Sequence, residues 1–230
     1  MAKNTAKITL SERIYERIHK DIISNQIKPG EKINIRELCE RYSASETPIR
    51  LALNRLATEN IIEHFPRQGM RVKPLNINMC EETFDLRLML ECHYIPNVSM
   101  TLNVNEAMRS ALKHNVAINL EVVQKLNSNS TIDDYLENYK FDMEFHELLL
   151  KCSGNQLLLD LYHHLNPFLY VNYVYSKQSK ERLLAGIEEH NTILRALLDS
   201  DEEKARQALT VHILNSKQVI ISILKIETIL

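Results

Sequence analysis

Apolar residues recur along this chain at spacings of three and four, with one short exception. Ile14, Ile18, Ile22 and Ile23 keep helical period. Thr9-Leu10-Ser11-Glu12 ahead of them has capping-box spacing, so a helix is predicted to about Asn25. A second, shorter pattern runs from Ile35 to Tyr42, with Asn34 placed to cap it and Glu37 three residues on. After the turn Ser43-Ala44-Ser45, the residues Ile49, Ala52, Leu53 and Leu56 fall at i, i+3, i+4 and i+7. Thr47 as N-cap and Pro48 at the first helical position predict a sharp start for this helix. Glu46, Arg50 and Asn54 share a different, polar face. Two short helices around a tight turn form a helix-turn-helix, whose second helix enters the DNA major groove. An ordinary surface helix pair would give the same window.

The exception to helical period is Ile61–Phe65 and Met70–Val72, on either side of Pro66-Arg67-Gln68-Gly69, which reads as a hairpin. Three helices and a hairpin make a winged helix-turn-helix. Arg67 at the tip, with Arg71 and Lys73 beside it, would meet phosphates. Residues 1–8 read as a loose basic tail, and Lys73 to Asn78 as a linker. Beyond the linker the period stays helical, with six helices predicted at about 79–101, 105–127, 131–152, 155–175, 179–199 and 201–227. Pro96 and Pro167 should kink the first and fourth. The fold class is therefore mainly α: a winged helix-turn-helix domain over residues 1–74 and an all-helical domain over 79–230, a bundle of six or seven helices.

Composition agrees with this reading. An apolar fraction of 44% in 230 residues can build cores, and only 4 Gly and 6 Pro argue against an all-β fold. The net charge of −2 hides an asymmetry: residues 1–75 carry +5 and the remainder −7. A basic N-terminal part suits a nucleic-acid module. The four cysteines, at 39, 80, 92 and 152, contain no C-x-x-C pair and read as reduced core residues of a cytoplasmic protein. No signal peptide and no apolar run near 18 residues is read in the chain, so a soluble protein without a membrane partner is expected.

Four polar residues interrupt the apolar stripes of the second part. Asp142 and His146, at i and i+4, share a face with Tyr135, Tyr139 and Leu149. His190 lies among Leu183, Ile187, Leu194 and Leu197, and His212 among Ala205, Leu209, Ser216 and Val219. Burying three imidazoles and a carboxylate is costly unless something satisfies them, and a divalent ion (Zn, Ni, Mn or Fe) would do so. Each histidine taken alone also suits a hydrogen-bonded core residue. His163 and His164 point about 100° apart on a helix and read as structural. Arg87 suits either carboxylate recognition or a surface ion pair with Glu91 at i+4. Gly154-Asn155 ends one helix and caps the next. Lysines and glutamates elsewhere read as solvated faces.

Residues 10–74 resemble the DNA-binding domain of the GntR transcription regulators. The resemblance rests on Ile27-Lys28-Pro29-Gly30, Ile35-Arg36-Glu37-Leu38, Thr47-Pro48-Ile49-Arg50 with Ala52-Leu53, and Pro66-Arg67-Gln68-Gly69 with Val72. The second part resembles the FCD ligand-sensing domain of the FadR branch, through Arg87, Leu90-Glu91, Asp142 to Phe145-His146, Gly154-Asn155, Glu189-His190, Ile193, Asp201, Ala205 and His212. Six helices instead of seven suggests the VanR-like subgroup. The resemblance implies DNA binding through Arg36, Thr47, Arg50, Arg67, Gln68 and Gly69, and Glu46 lies on the same groove-facing stripe by its helical position. The resemblance also implies metal binding through Asp142, His146, His190 and His212, and an effector contact at Arg87. Two positions depart from the family pattern: Glu46, where Arg is usual, and Leu51, where Glu is usual. The expected protein is a homodimeric transcription regulator and not an enzyme, a repressor more than an activator, that binds a palindromic operator and senses a small organic acid. A metal-dependent hydrolase and a regulator with a purely structural metal are the alternatives.

Overall fold

A computed structural model describes residues 9–74, 76–165 and 177–227. The chain divides into two compact units, residues 1–75 and 76–230. The basic tail at 1–8 lies outside the described residues.

The first unit comprises α1 (Leu10–Ile23), α2 (Ile35–Tyr42), α3 (Glu46–Thr58), β1 (Ile62–Phe65) and β2 (Gly69–Val72). Thr9 opens α1 with a full capping box to Glu12, and the Asn34 side chain caps α2. The start of α3 differs from expectation. The helix begins at Glu46 with Ser45 as N-cap, and Ser45 makes no side-chain cap bond. Pro48 is thus the third helical residue, and Thr47 lies inside the helix. The first four N–H groups of a helix have no intrahelical partner, so proline fits anywhere in that turn. Ile14, Ile18 and Ile22 of α1 and Ile49, Leu53 and Leu56 of α3 are at most 1% exposed and form the core. The strands pair antiparallel with Ile62 opposite Val72 and Phe65 opposite Gly69. Gly69 closes the hairpin at φ 92°, a conformation that favours glycine.

The second unit contains α4 (Ile77–His93), α5 (Ile95–Val104), α6 (Glu106–Lys125), α7 (Ile132–Lys151), α8 (Gln156–Leu165), α9 (Lys180–Leu198) and α10 (Glu202–Glu227). The first predicted helix is two helices, broken at Tyr94. Pro96 starts α5 instead of kinking a longer helix, because its missing N–H costs little in a first turn. The described residues of this unit therefore hold seven helices, and the count that pointed to the VanR-like subgroup does not hold. Pro167 lies outside the described residues. Asn155 accepts from the Leu158 N–H and caps α8, as expected.

Among the described residues one helix, over Glu202–Ile226, is long and apolar enough by length and composition to cross a membrane, which the sequence reading had not found. Its stretch earns that character by feeding the bundle core with Ile213, Ile220 and Leu224 while also exposing Val211 and Leu214. It packs against α4, α5 and α9. α6 and α7 pack on each other, and α9 also meets α6.

Candidate functional site

Three helices bring their polar interruptions together inside the second unit. One ligand atom each from Asp142 and His146 (α7), His190 (α9) and His212 (α10) lies within 4.8 Å of the others. The three histidines are at most 2% exposed, and the Asp142 side chain is 18% exposed. The helical stripes that carry them are otherwise apolar, with Phe145, Leu149, Ile187, Leu194, Leu209 and Ile213 all buried. Phe145 also stacks on the His190 ring at 4.0 Å between centroids.

Two carboxylates orient two of the imidazoles from outside. His146 Nδ1 donates to Glu91 Oε2 at 2.6 Å, and His212 Nδ1 donates to Glu189 Oε2 at 2.8 Å. Burial alone would raise the Glu91 carboxyl, but the Arg87 guanidinium and His146 outweigh it and hold it well below the usual range. Glu189 is likewise lowered, to about 2: its burial opposes ionisation, but bonds from His212, Arg182 and Asn215 prevail. Both carboxylates are ionised acceptors, so both Nδ1 atoms carry the proton. Both Nε2 atoms then present bare lone pairs whenever the rings are neutral.

Neutral they are. Burial lowers the pKa of His146, His190 and His212, and neighbouring cationic groups add to the effect. His146 Nε2 nevertheless faces His212 Nε2 at 3.2 Å. His190 Nε2 approaches His212 Nε2 at 3.3 Å and Asp142 Oδ1 at 3.5 Å. Two lone pairs at that separation repel unless a cation lies between them. The donor set of three imidazole nitrogens and one carboxylate oxygen fits a divalent transition metal. The outer carboxylates supply the orienting bonds such ligands need. His190 is the exception: its buried Nδ1 has no hydrogen-bond partner, and the ring is held by stacking.

Glu91 is the centre of a wholly buried network. It accepts from Arg87 Nε at 2.6 Å and from the Tyr162 hydroxyl at 2.8 Å, besides His146. Glu189 accepts two bonds from Arg182 at 2.9 Å and one from Asn215 Nδ2 at 2.8 Å. Reading glutamates outside the cluster as solvated faces is therefore corrected at these two positions. Burial of the Arg87–Glu91 pair also corrects its reading as a surface pair. A sequence signal existed for both residues: Cys80, Phe84, Arg87 and Glu91 follow one another at spacings of four, three and four, on the buried side of α4. Glu189 has no such signal, since it lies off the apolar stripe of α9.

A cavity of about 30 Å³ adjoins the cluster, lined among others by Arg87, Asn119, Asp142, Arg182, His212 and Ser216. Glu144 and Glu147, which flank His146 on α7, are engaged elsewhere. Glu144 accepts from Asn115 and Glu147 from His163. His163 is half exposed and lies outside the cluster.

In the first unit α3 presents Glu46, Thr47, Arg50 and Asn54 to solvent. Arg50 donates through Nε and Nη2 to Glu46 Oε2 at 3.1 and 2.9 Å, so the two form one unit on the exposed face. Arg36, with its side chain 89% exposed, lies in the first turn of α2 beside Glu40. Arg67, Gln68 and Gly69 form the exposed hairpin tip, Arg67 with φ 64°.

Family models match both units: "Bacterial regulatory proteins, gntR family" over residues 10–72 and "FCD domain" over 82–215. The chain is 26% identical over 200 residues to YdhC of Bacillus subtilis, an uncharacterised HTH-type transcriptional regulator, covering 87% of this chain and 86% of that protein. It is 23% identical over 206 residues to RspR of Escherichia coli, an HTH-type transcriptional repressor, covering 89% and 86%. Among solved structures, E. coli McbR/YncC superposes with a TM-score of 0.71 at 19% identity, covering 94% of this chain and 99% of that one.

Proposed function

The chain belongs to the GntR family of bacterial regulatory proteins and carries an FCD domain, and on that premise we propose that it is a metal-dependent sensor of a small carboxylate that represses transcription from a palindromic operator. The observation that carries the sensing half is the pair of bare imidazole nitrogens, His146 Nε2 and His212 Nε2, held face to face at 3.2 Å by two outer carboxylates. A divalent ion bound by Asp142, His146, His190 and His212 resolves that repulsion. When bound it supplies Lewis-acid anchorage for an anionic ligand. Arg87 and Arg182 line the adjoining cavity and add positive potential for a carboxylate.

DNA binding uses the N-terminal half of α3, with Arg36 on α2 and the tip Arg67, Gln68 and Gly69 at phosphates or groove edges. The second unit forms a homodimer, for which the exposed Leu86, Met89, Val211 and Leu214 are the supporting apolar surface. Effector binding shifts the pose of the DNA-binding units through residues 73–78. Repression is the activity named for RspR and is transferred here with the family.

Selection from random duplexes tests the operator reading: an inverted repeat is expected, and recovery of no repeat would defeat it. On the recovered site, Arg50→Ala is expected to cost roughly 1–3 kcal/mol of specific binding. Unchanged anisotropy titrations would remove Arg50 from the interface. Glu46→Arg frees Arg50 from its partner and is expected to change the selected motif more than the total affinity.

Glu189→Gln tests the outer carboxylate. The amide cannot supply the ionised acceptor that fixes the His212 tautomer, so metal affinity is expected to fall by roughly 10–100-fold. Competition against a chelator measures it; an unaltered dissociation constant would leave Glu189 as a mere neighbour.

A further inference from the structure

The buried stripe of α3 fixes what lies opposite it. Ile49, Ala52, Leu53 and Leu56 are at most 2% exposed. At about 100° per residue, the midline of the opposite face runs through Thr47, Leu51, Asn54 and Thr58, all of them exposed. Arg50 and its partner Glu46 lie to one side of that line. Among the described residues of the first unit, the large exposed apolar side chains are Leu10, Leu51 and Phe65, and Leu51 is the most exposed at 56%. Leu10 opens α1 and Phe65 ends β1, so of the three only Leu51 stands on the recognition helix. It lies within the first two turns of α3, the part of such a helix that meets base edges.

We propose that Leu51 is a specificity-determining residue that reads the 5-methyl group of an operator thymine, with the methyl of Thr47 one turn earlier extending the apolar patch. This deepens the DNA-binding reading above and rests on it. Base pairs present donors and acceptors in the major groove, and the thymine methyl is the one apolar feature there. A leucine offers no hydrogen bond. Against a guanine, adenine or cytosine edge it displaces water from polar groups and leaves them unpaired, which is unfavourable. Against the methyl it buries apolar surface on both sides. Hydrogen-bonded readout is left to Glu46, Arg50 and Asn54, which are exposed on the same half of the helix.

Deoxyuridine in place of thymidine removes the methyl group and nothing else. On the duplex recovered by selection, each thymine of one half-site is replaced in turn, and full-length protein is titrated by anisotropy. One replacement is expected to weaken binding roughly fourfold, the factor that one buried methylene supplies. Leu51→Ala changes an exposed position and leaves the core untouched, and it should bind thymine and deoxyuridine alike there. Thr47→Ser keeps the hydroxyl, removes the methyl and should retain most of the preference. Equal binding after every replacement, a preference that survives Leu51→Ala, a preference abolished by Thr47→Ser, or a half-site without thymine would each overturn the assignment. Arg50→Ala distinguishes the two layers. If it weakens binding while deoxyuridine does not, α3 enters the groove and the leucine contact alone fails. If neither weakens binding, the groove-facing reading of α3 fails together with it.

Discussion

Glu91→Ala is expected to destabilise the second unit by roughly 3–5 kcal/mol, the cost of leaving a buried charge without its partner. The side chain is fully buried and accepts from Arg87, His146 and Tyr162 at once. Its removal strands a guanidinium that is 2% exposed, together with two further donors. At about 2–4 °C per kcal/mol for a chain of this size, melting should drop by on the order of 10 °C. Glutamine is not a remedy, because its amide would turn a donor toward three donors. The double variant Arg87→Leu/Glu91→Leu should recover much of the loss by removing both charges, although His146 stays unoriented. Calorimetric melting of the metal-free protein reads these effects without a contribution from the ion. A Glu91→Ala protein melting within a degree or two of the parent would contradict the network as described.

The same groups set a pH dependence. Glu91 and Glu189 are held below their ordinary values in the fold. Their contribution is present above the unfolded carboxylate pKa near 4.3 and is lost as pH falls through their folded values. The histidines are also lowered by burial, so they stay neutral in the fold while the unfolded chain protonates near pH 6.5. Metal-free protein should therefore begin to lose stability just below that pH, well before the carboxylates titrate. Bound metal adds proton competition in the same direction, so occupancy should fall across the same range. Melting temperatures and metal content collected from pH 8 to pH 4 check both statements; constant stability down to pH 5 would show that the imidazoles are not neutral and buried as found.

Much of this architecture was legible in local pattern. The stripes Ile14–Ile22 and Ile49–Leu56 define a buried face by period alone, and the capping box at Thr9 fixes its helix start through groups three residues apart. The polar breaks at Asp142, His146, His190 and His212 stand out because each sits where only apolar residues would otherwise be buried. What local pattern could not supply was partnership across the bundle. Glu91 reaches His146 over 55 residues, and Glu189 reaches His212 over 23. Neither pairing has a periodicity. Arg87 and Glu91 could be seen as a pair, but whether an i, i+4 pair faces water or core depends on what packs against it. The helix break at Tyr94 was misplaced for a related reason: Pro96 tolerates either a kink or a new first turn, and packing chooses between them.

Metal occupancy tests the central claim most directly. Full-length protein as isolated should contain about one divalent ion per chain by elemental analysis, since one cluster of this kind is found among the described residues. His190→Ala removes the ligand on α9 while leaving the Asp142–His146 pair on α7, so it should lose the ion and, with it, the effect of short carboxylates on operator binding. His163→Ala, outside the cluster, should keep both. If His190→Ala loses the ion, stays folded and still binds operator but ignores the acid, the ion serves sensing; if the bundle melts, the ion is structural. A native protein free of metal whose operator binding still responds to carboxylates, or a His190→Ala variant with full metal content, would contradict the site.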